Sequence, residues 1–180
     1  MSSGGQLELI LGPMFGGKST ELLRRVRRYQ HAGLKCMLIK SIKDTRYNPA
    51  CVTTHDQLSY SARARVDHLA DLDGGVDGYQ VVGIDEGQFF DDIVEVASAW
   101  ADAGVVVIVA ALDGTFQRQP FGHVLELIPF ADTVVKLPAV CMRCGHDAPF
   151  TCRTSAEKEV EVIGNGDKYQ PLCRACFLKK

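Results

Sequence analysis

At 180 residues, 46% of them hydrophobic, the chain can bury one proper core with a small appendage but cannot form two full lobes. Its formal charge of -2 gives no global basic field, which argues against a general nucleic-acid binder and for a small, discrete ligand. The opening MSSGGQLELILGP has no basic segment ahead of a long apolar run and no stretch is long enough to span a bilayer, so a soluble, intracellular protein without a membrane partner is expected.

The first predicted element is a buried strand from Gln6 to Leu11. After the glycine-rich GPMFGGKS comes a helix from Ser19 to His31, with Leu22, Leu23, Val26 and Tyr29 at helical spacing and Gly33 as its stop. Arg24, Arg25, Arg27 and Arg28 interleave with that apolar stripe, as a solvated face does. KCMLIK (Lys35 to Lys40) follows, then a polar stretch from Ser41 to Ser61 that reads as a functional or mobile loop, and a weak helix near Asp67 to Leu72. QVVGID (Gln80 to Asp85) is a further buried strand. A helix from Asp91 to Ala103 aligns Ile93, Val96, Ala97 and Trp100, and VVVIVAAL (Val105 to Leu112) reads as a central strand covered on both faces. A loop, a short helix around His123 to Ile128 and a last core strand, TVVKL (Thr133 to Leu137), complete the alternation. Strands alternating with helices imply an α/β fold, a parallel sheet flanked by helices.

At Pro138 the composition turns to cysteine, glycine and charge, so residues 1–138 are expected to form an α/β domain and residues 139–180 a small, cysteine-rich β module. EKEVEVI (Glu157 to Ile163) alternates like a hairpin strand.

Gly12, Gly17, Lys18 and Ser19 fit GxxxxGK[ST] between a strand and a helix. In that pattern backbone N–H groups cradle phosphates, the lysine reaches the terminal phosphates and the hydroxyl holds magnesium. The magnesium needs a carboxylate across the site, and Asp85, ending an apolar strand expected beside the first one, supplies it. Glu86 can then accept a proton from an attacking hydroxyl or water; the alternative is that one of the two acids only caps the next helix.

Cys141, Cys144, Cys173 and Cys176 form two CxxC pairs 28 residues apart, a closed set that suits structural zinc, with His146 as a bystander. Cys36, Cys51 and Cys152 carry no assigned chemistry. A metal that pins both ends of this excursion can hold up a loop containing Gly164-Asn165-Gly166 and Tyr169, built to close over something; a plain zinc ribbon contacting nucleic acid or protein is the alternative.

Read in order, GPMFGGKST, KDTRY, IDEGQFF, LDGTFQR, CMRC, EKEVEVIG, DKY and CRAC make the chain resemble the type II thymidine kinases, the zinc-containing cytosolic group, over essentially its full length. The resemblance implies a RecA-like P-loop core and transfer of the γ-phosphate of ATP to the 5′-hydroxyl of thymidine or deoxyuridine, giving dTMP for DNA synthesis. It also implies Mg2+ with ATP, structural Zn2+, a cytoplasmic homotetramer and inhibition by dTTP.

By position in the motifs, Glu86 resembles the general base, Lys18 and Arg153 partners of the phosphates, and Ser19 with Asp85 the magnesium ligands. The loop residues Gly12, Pro13, Met14, Phe15, Gly16, Gly17, Lys18, Ser19 and Thr20 resemble the ATP cradle, with Asp44, Thr45, Arg46, Asp85 and Gln88 on the ATP side. Met14, Leu112, Phe116 and Phe121 look like walls of a thymine pocket. Thr151, the stretch Val160, Glu161, Val162, Ile163 and Gly164, and Tyr169 resemble a zinc-held lasso over the base, and Phe89 and Phe90 are read as packing residues.

Small departures stand out: Gly16 where relatives carry serine, Cys152 beside Arg153 where a basic residue is frequent, and Cys176 where some relatives have histidine. An ATP-driven nucleic-acid motor is the rival reading, opposed by the single P-loop and the acidic balance. A non-catalytic nucleotide scaffold is disfavoured by the complete set Lys18, Ser19, Asp85 and Glu86.

Overall fold

A computed structural model describes residues 4–43, 51–53, 59–61, 64–154 and 168–179. Asp44, Thr45, Arg46, the EKEVEVI segment and Val160 to Gly164 lie outside the described residues.

Six parallel strands form one sheet. β1 (Gln6–Gly12), β2 (Cys36–Ser41), β5 (Ala64–Val66), β6 (Val81–Asp85), β7 (Val106–Leu112) and β8 (Thr133–Lys136) lie in the order β5-β2-β6-β7-β1-β8. All five neighbouring pairs run parallel, so every strand delivers its last residue to the same edge. In β1 the pleat alternates sides. Ile10 packs with Leu22, Leu23 and Val26 of helix α1 (Lys18–His31), whereas Leu9 and Leu11 join the opposite core with Ile93 and Ala97 of helix α2 (Ile93–Asp102).

Glu8 is polar inside β1, and its carboxylate is taken by Arg25 at 2.6 Å. Arg24 and Arg25 both pair with Glu21, at 2.6 and 2.8 Å, so part of the arginine cluster serves ion pairs along α1.

The strand order corrects one expectation. β6, which ends in Asp85, is not beside β1; β7 intervenes, registered against both. Strand adjacency is set by tertiary pairing and leaves no mark on either strand's own pattern.

TVVKL also differs from the core strand expected, because β8 ends the sheet and Thr133, Val134 and Lys136 are exposed. In the stretch read as a loop, β3 (Cys51–Thr53) and β4 (Ser59–Ser61) form an antiparallel pair, and the short β5 adds a parallel edge beside β2. The expected helix near 67–72 is one 3-10 turn, Leu69–Asp71. The helix near 123–128 is a 3-10 stretch, Val124–Phe130, with Pro129 inside it, where a missing N–H and the clash of the ring with the preceding turn's carbonyl disfavour a regular α-helix.

Beyond Pro138 come two small antiparallel pairs, β9 (Ala139–Val140) with β10 (Asp147–Ala148) and β11 (Phe150–Arg153) with β12 (Tyr169–Leu172), and helix α3 (Arg174–Leu178). Their core is small: Ala139, Cys141, Ala148, Cys152, Leu172 and Phe177, with Phe15 from the glycine-rich loop packed against it. Among the described residues no helix is long and apolar enough to cross a membrane.

Candidate active site

The site lies outside the carboxyl ends of β1, β6 and β7, where open parallel sheets place their ligands. After β1 the chain turns through residues 12–17 and enters α1. Gly17, the residue before α1, has φ 76° and is exposed, a conformation that costs glycine little and an L side chain more.

Lys18 is buried and its Nζ donates to the Pro13 carbonyl at 2.8 Å, so the ammonium lies over the loop it follows. Ser19 Oγ donates to Asp85 Oδ1 at 2.9 Å, bridging from the loop across β7 to the end of β6. Thr20, also assigned to the cradle, is exposed on the first turn of α1.

Glu86 follows directly. It is buried, with φ 54° and ψ 46°, a left-handed geometry that costs a non-glycine residue on the order of 1 kcal/mol or more and concentrates at functional sites. Its Oε2 accepts from Gln88 Nε2 at 2.5 Å, while Gln88 Oε1 accepts from the Leu112 N–H at 3.0 Å. Gln88, assigned from the motif to the ATP side, therefore touches the carboxylate and the end of β7. Phe90 packs in the main core, and Phe89 meets Phe121 edge-on at 5.9 Å between centroids.

The described residues assigned to the acceptor side converge. Met14, Leu112 and Tyr169 are buried in one cluster with Phe15 and Phe121 against them. Thr151 Oγ1 accepts from the Met14 N–H at 2.9 Å, tying β11 to the glycine-rich loop. Arg153 is buried; its guanidinium lies 3.9 Å from the Phe116 ring centroid and donates to the Tyr169 hydroxyl at 2.6 Å. Arg153, read from sequence as a phosphate partner, is thus built into the wall that holds Phe116 and Tyr169.

Two features were missed by sequence reasoning. Lys40 is buried at the end of β2, in register with Asp85, and the only hint was a charge closing the apolar run MLIK. Arg118 has φ 61° and lies over the rings of Phe177 and Phe150, at 5.0 and 5.6 Å, fastening the loop that carries Phe116 and Phe121 to the cysteine module. Nothing in the residues QRQ signals that conformation.

Cys141, Cys144, Cys173 and Cys176 bring their sulfurs within 4.8 Å of one another. A tetrahedral zinc with Zn–S near 2.3 Å separates its sulfurs by about 3.8 Å, so the set fits such an ion. Burial pushes the Cys141 thiol up, but backbone hydrogen bonds from Cys173, Arg143 and Cys144 outweigh it and bring it down to about 6. The hydrogen bond with Cys173 leads in pushing Cys176 up to about 12. The His146 ring is exposed and lies outside the sulfur set; its main-chain N–H donates to the Cys144 sulfur, and its carbonyl accepts from the Cys141 N–H at 2.8 Å.

The family model for thymidine kinase matches residues 5–177. The chain is 57% identical to the cytosolic thymidine kinase of Homo sapiens over 176 residues, covering 98% of this chain and 74% of that protein. It is 56% identical to the Gallus gallus cytosolic enzyme, covering 98% and 78%, and 52% identical to the thymidine kinase of Monkeypox virus, covering 98% of each. With a nearly full-length family match and identities above one half, the chain belongs to the thymidine kinase family of phosphotransferases.

Proposed function

We propose that this protein transfers the γ-phosphate of ATP to the 5′-hydroxyl of thymidine, and of deoxyuridine, giving dTMP for nucleoside salvage. The observation that supports this most is the 2.9 Å contact between Ser19 and Asp85, one residue before the buried Glu86 and next to the Met14, Leu112 and Tyr169 wall. A donor half and an acceptor half meet at one sheet edge.

In this reading residues 12–20 act as a P-loop whose N–H groups, at the positive end of α1, hold the ATP phosphates, and Lys18 leaves the Pro13 carbonyl for the terminal phosphates. A magnesium ion held by Ser19 and Asp85 would neutralise charge on the β- and γ-oxygens. Glu86 accepts the 5′-hydroxyl proton as that oxygen bonds to the γ-phosphorus and the bond to the bridging oxygen of ADP breaks. Met14, Leu112, Phe116 and Phe121 enclose the base. Arg153 keeps Phe116 and Tyr169 in place and stands near the path of the transferred phosphate.

The roles of Asp44, Thr45, Arg46 and of the lasso from Val160 to Gly164 rest on the family resemblance, as do dTTP inhibition, a homotetramer and residence in the cytosol. The division at residue 138 into a RecA-like domain and a zinc-stapled module follows the change of composition and the separate small core. Purified protein given Mg-ATP should convert radiolabelled thymidine to its monophosphate and leave thymidylate and uridylate almost untouched. Absence of thymidine-dependent ADP release would sink the reading.

A further inference from the structure

We infer that Gln88 is a positioning residue for the Glu86 carboxylate, and not a nucleotide ligand; this rests on the reading of Glu86 as the base. Each end of the amide is held by a neighbour. The Leu112 N–H can only donate, so the amide oxygen must face it, at 3.0 Å, and the NH2 group is left for Glu86 Oε2, at 2.5 Å. Both bonds are buried, and the Gln88 side chain joins the base to the last residue of β7, which is also a wall of the acceptor cluster.

The backbone around this clamp is equally constrained. A Cβ on Gly87 would sit 2.6 Å from Val109 Cγ1, and one on Gly122, whose φ is +56°, would collide with the Gln88 carbonyl oxygen. The loop after β7 therefore closes directly on the residue that orients Glu86.

A fixed donor aims the carboxylate where the wall of Leu112 ends, so base and acceptor pocket share one anchor.

Gln88→Glu tests the clamp. Its carboxylate can still accept the Leu112 N–H, but it presents a like charge where the donor stood and so turns Glu86 from its aimed position. At pH 7 kcat should fall roughly 10-fold or more, with the KM for ATP unchanged.

A raised KM for ATP with kcat unmoved would overturn the inference in favour of nucleotide contact, and unchanged kcat with unchanged KM would overturn it outright. Glu86→Gln, run alongside, should lower the rate by about 10²-fold or more. If it does not, the base reading fails and this inference with it. If it does while Gln88→Glu leaves kcat in place, only the clamp fails. A measurement on the unaltered protein covers the case in which Gln88→Glu does not fold. The Gln88 side-chain amide should exchange slowly with solvent; exchange at the free-solvent rate would refute the clamp.

Discussion

The six-stranded sheet and the cysteine module both present side chains to the same edge, by different means. Leu9, Ile10, Val82, Ile84, Val107, Ile108 and Val109 are completely buried in the sheet, whose two apolar layers are covered by α1 and α2. Among its described residues the module's own core buries Leu172 and Phe177 as large apolar side chains, with Phe150 partly buried against them; the rest is alanine and cysteine. Burial at about 25 cal/mol per Å² holds the first, whereas the described part of the second buries little apolar surface and leans on its four sulfurs. The proposed acceptor wall straddles the two, with Met14 and Leu112 from one and Thr151, Arg153 and Tyr169 from the other.

Removing a ligand should break the comparison most sharply. Cys144→Ser should lose metal binding whose worth in comparable sites is on the order of 10 kcal/mol, and with it thymidine phosphorylation, while the sheet keeps its far-ultraviolet circular dichroism. A metal-free variant that stays active would show that the module stands by itself. Phe90→Ala attacks the other side. Phe90 is fully buried in the main core, so the variant should lose about 3–5 kcal/mol in urea unfolding yet keep its metal content.

Thr151→Val probes the seam between the regions, since it strands the buried Met14 N–H. A loss of about 1–3 kcal/mol and a higher KM for thymidine are expected, with metal content intact. The smallest effect belongs to the surface of α1. The Arg24 hydrogen bond outweighs burial and, with Arg25, holds Glu21 at about 2, below the ordinary 4.5. A lowered folded-state value means the stabilisation is present above about 4.5 and is lost as pH falls towards about 2. Glu21→Gln should flatten that part of the acid-unfolding curve, by no more than about 1 kcal/mol because Arg24 is largely in solvent.

How much was legible in the sequence follows the same division. β1, β2, β6 and β7 declare themselves because buried parallel strands are predominantly apolar runs, and GGKS announces its loop by local chemistry alone. β5 did not, being three residues with an exposed arginine, and TVVKL misled because an edge strand can carry as much valine as a central one. The order β6-β7-β1 and the pairing of Gln88 with Leu112 depend on which strands meet, which no local window records. In the module the four cysteines were evident from spacing. The positive φ of Arg118 and the stacking of Arg153 on Phe116 were not, because both depend on rings brought from distant segments.

Met14 and Leu112 each do two jobs with different atoms. Their main-chain N–H groups hold Thr151 and Gln88, and their side chains form the wall. Mutation at either position can reshape that wall while the amide stays where it was, so selection or an engineer seeking altered nucleoside preference has room there. Gly87 and Gly122 offer no such latitude, since any added side chain meets Val109 or the Gln88 carbonyl. Change in substrate range should accordingly accumulate at 14 and 112, and lineages that diverge in the nucleosides they accept should still share the two glycines.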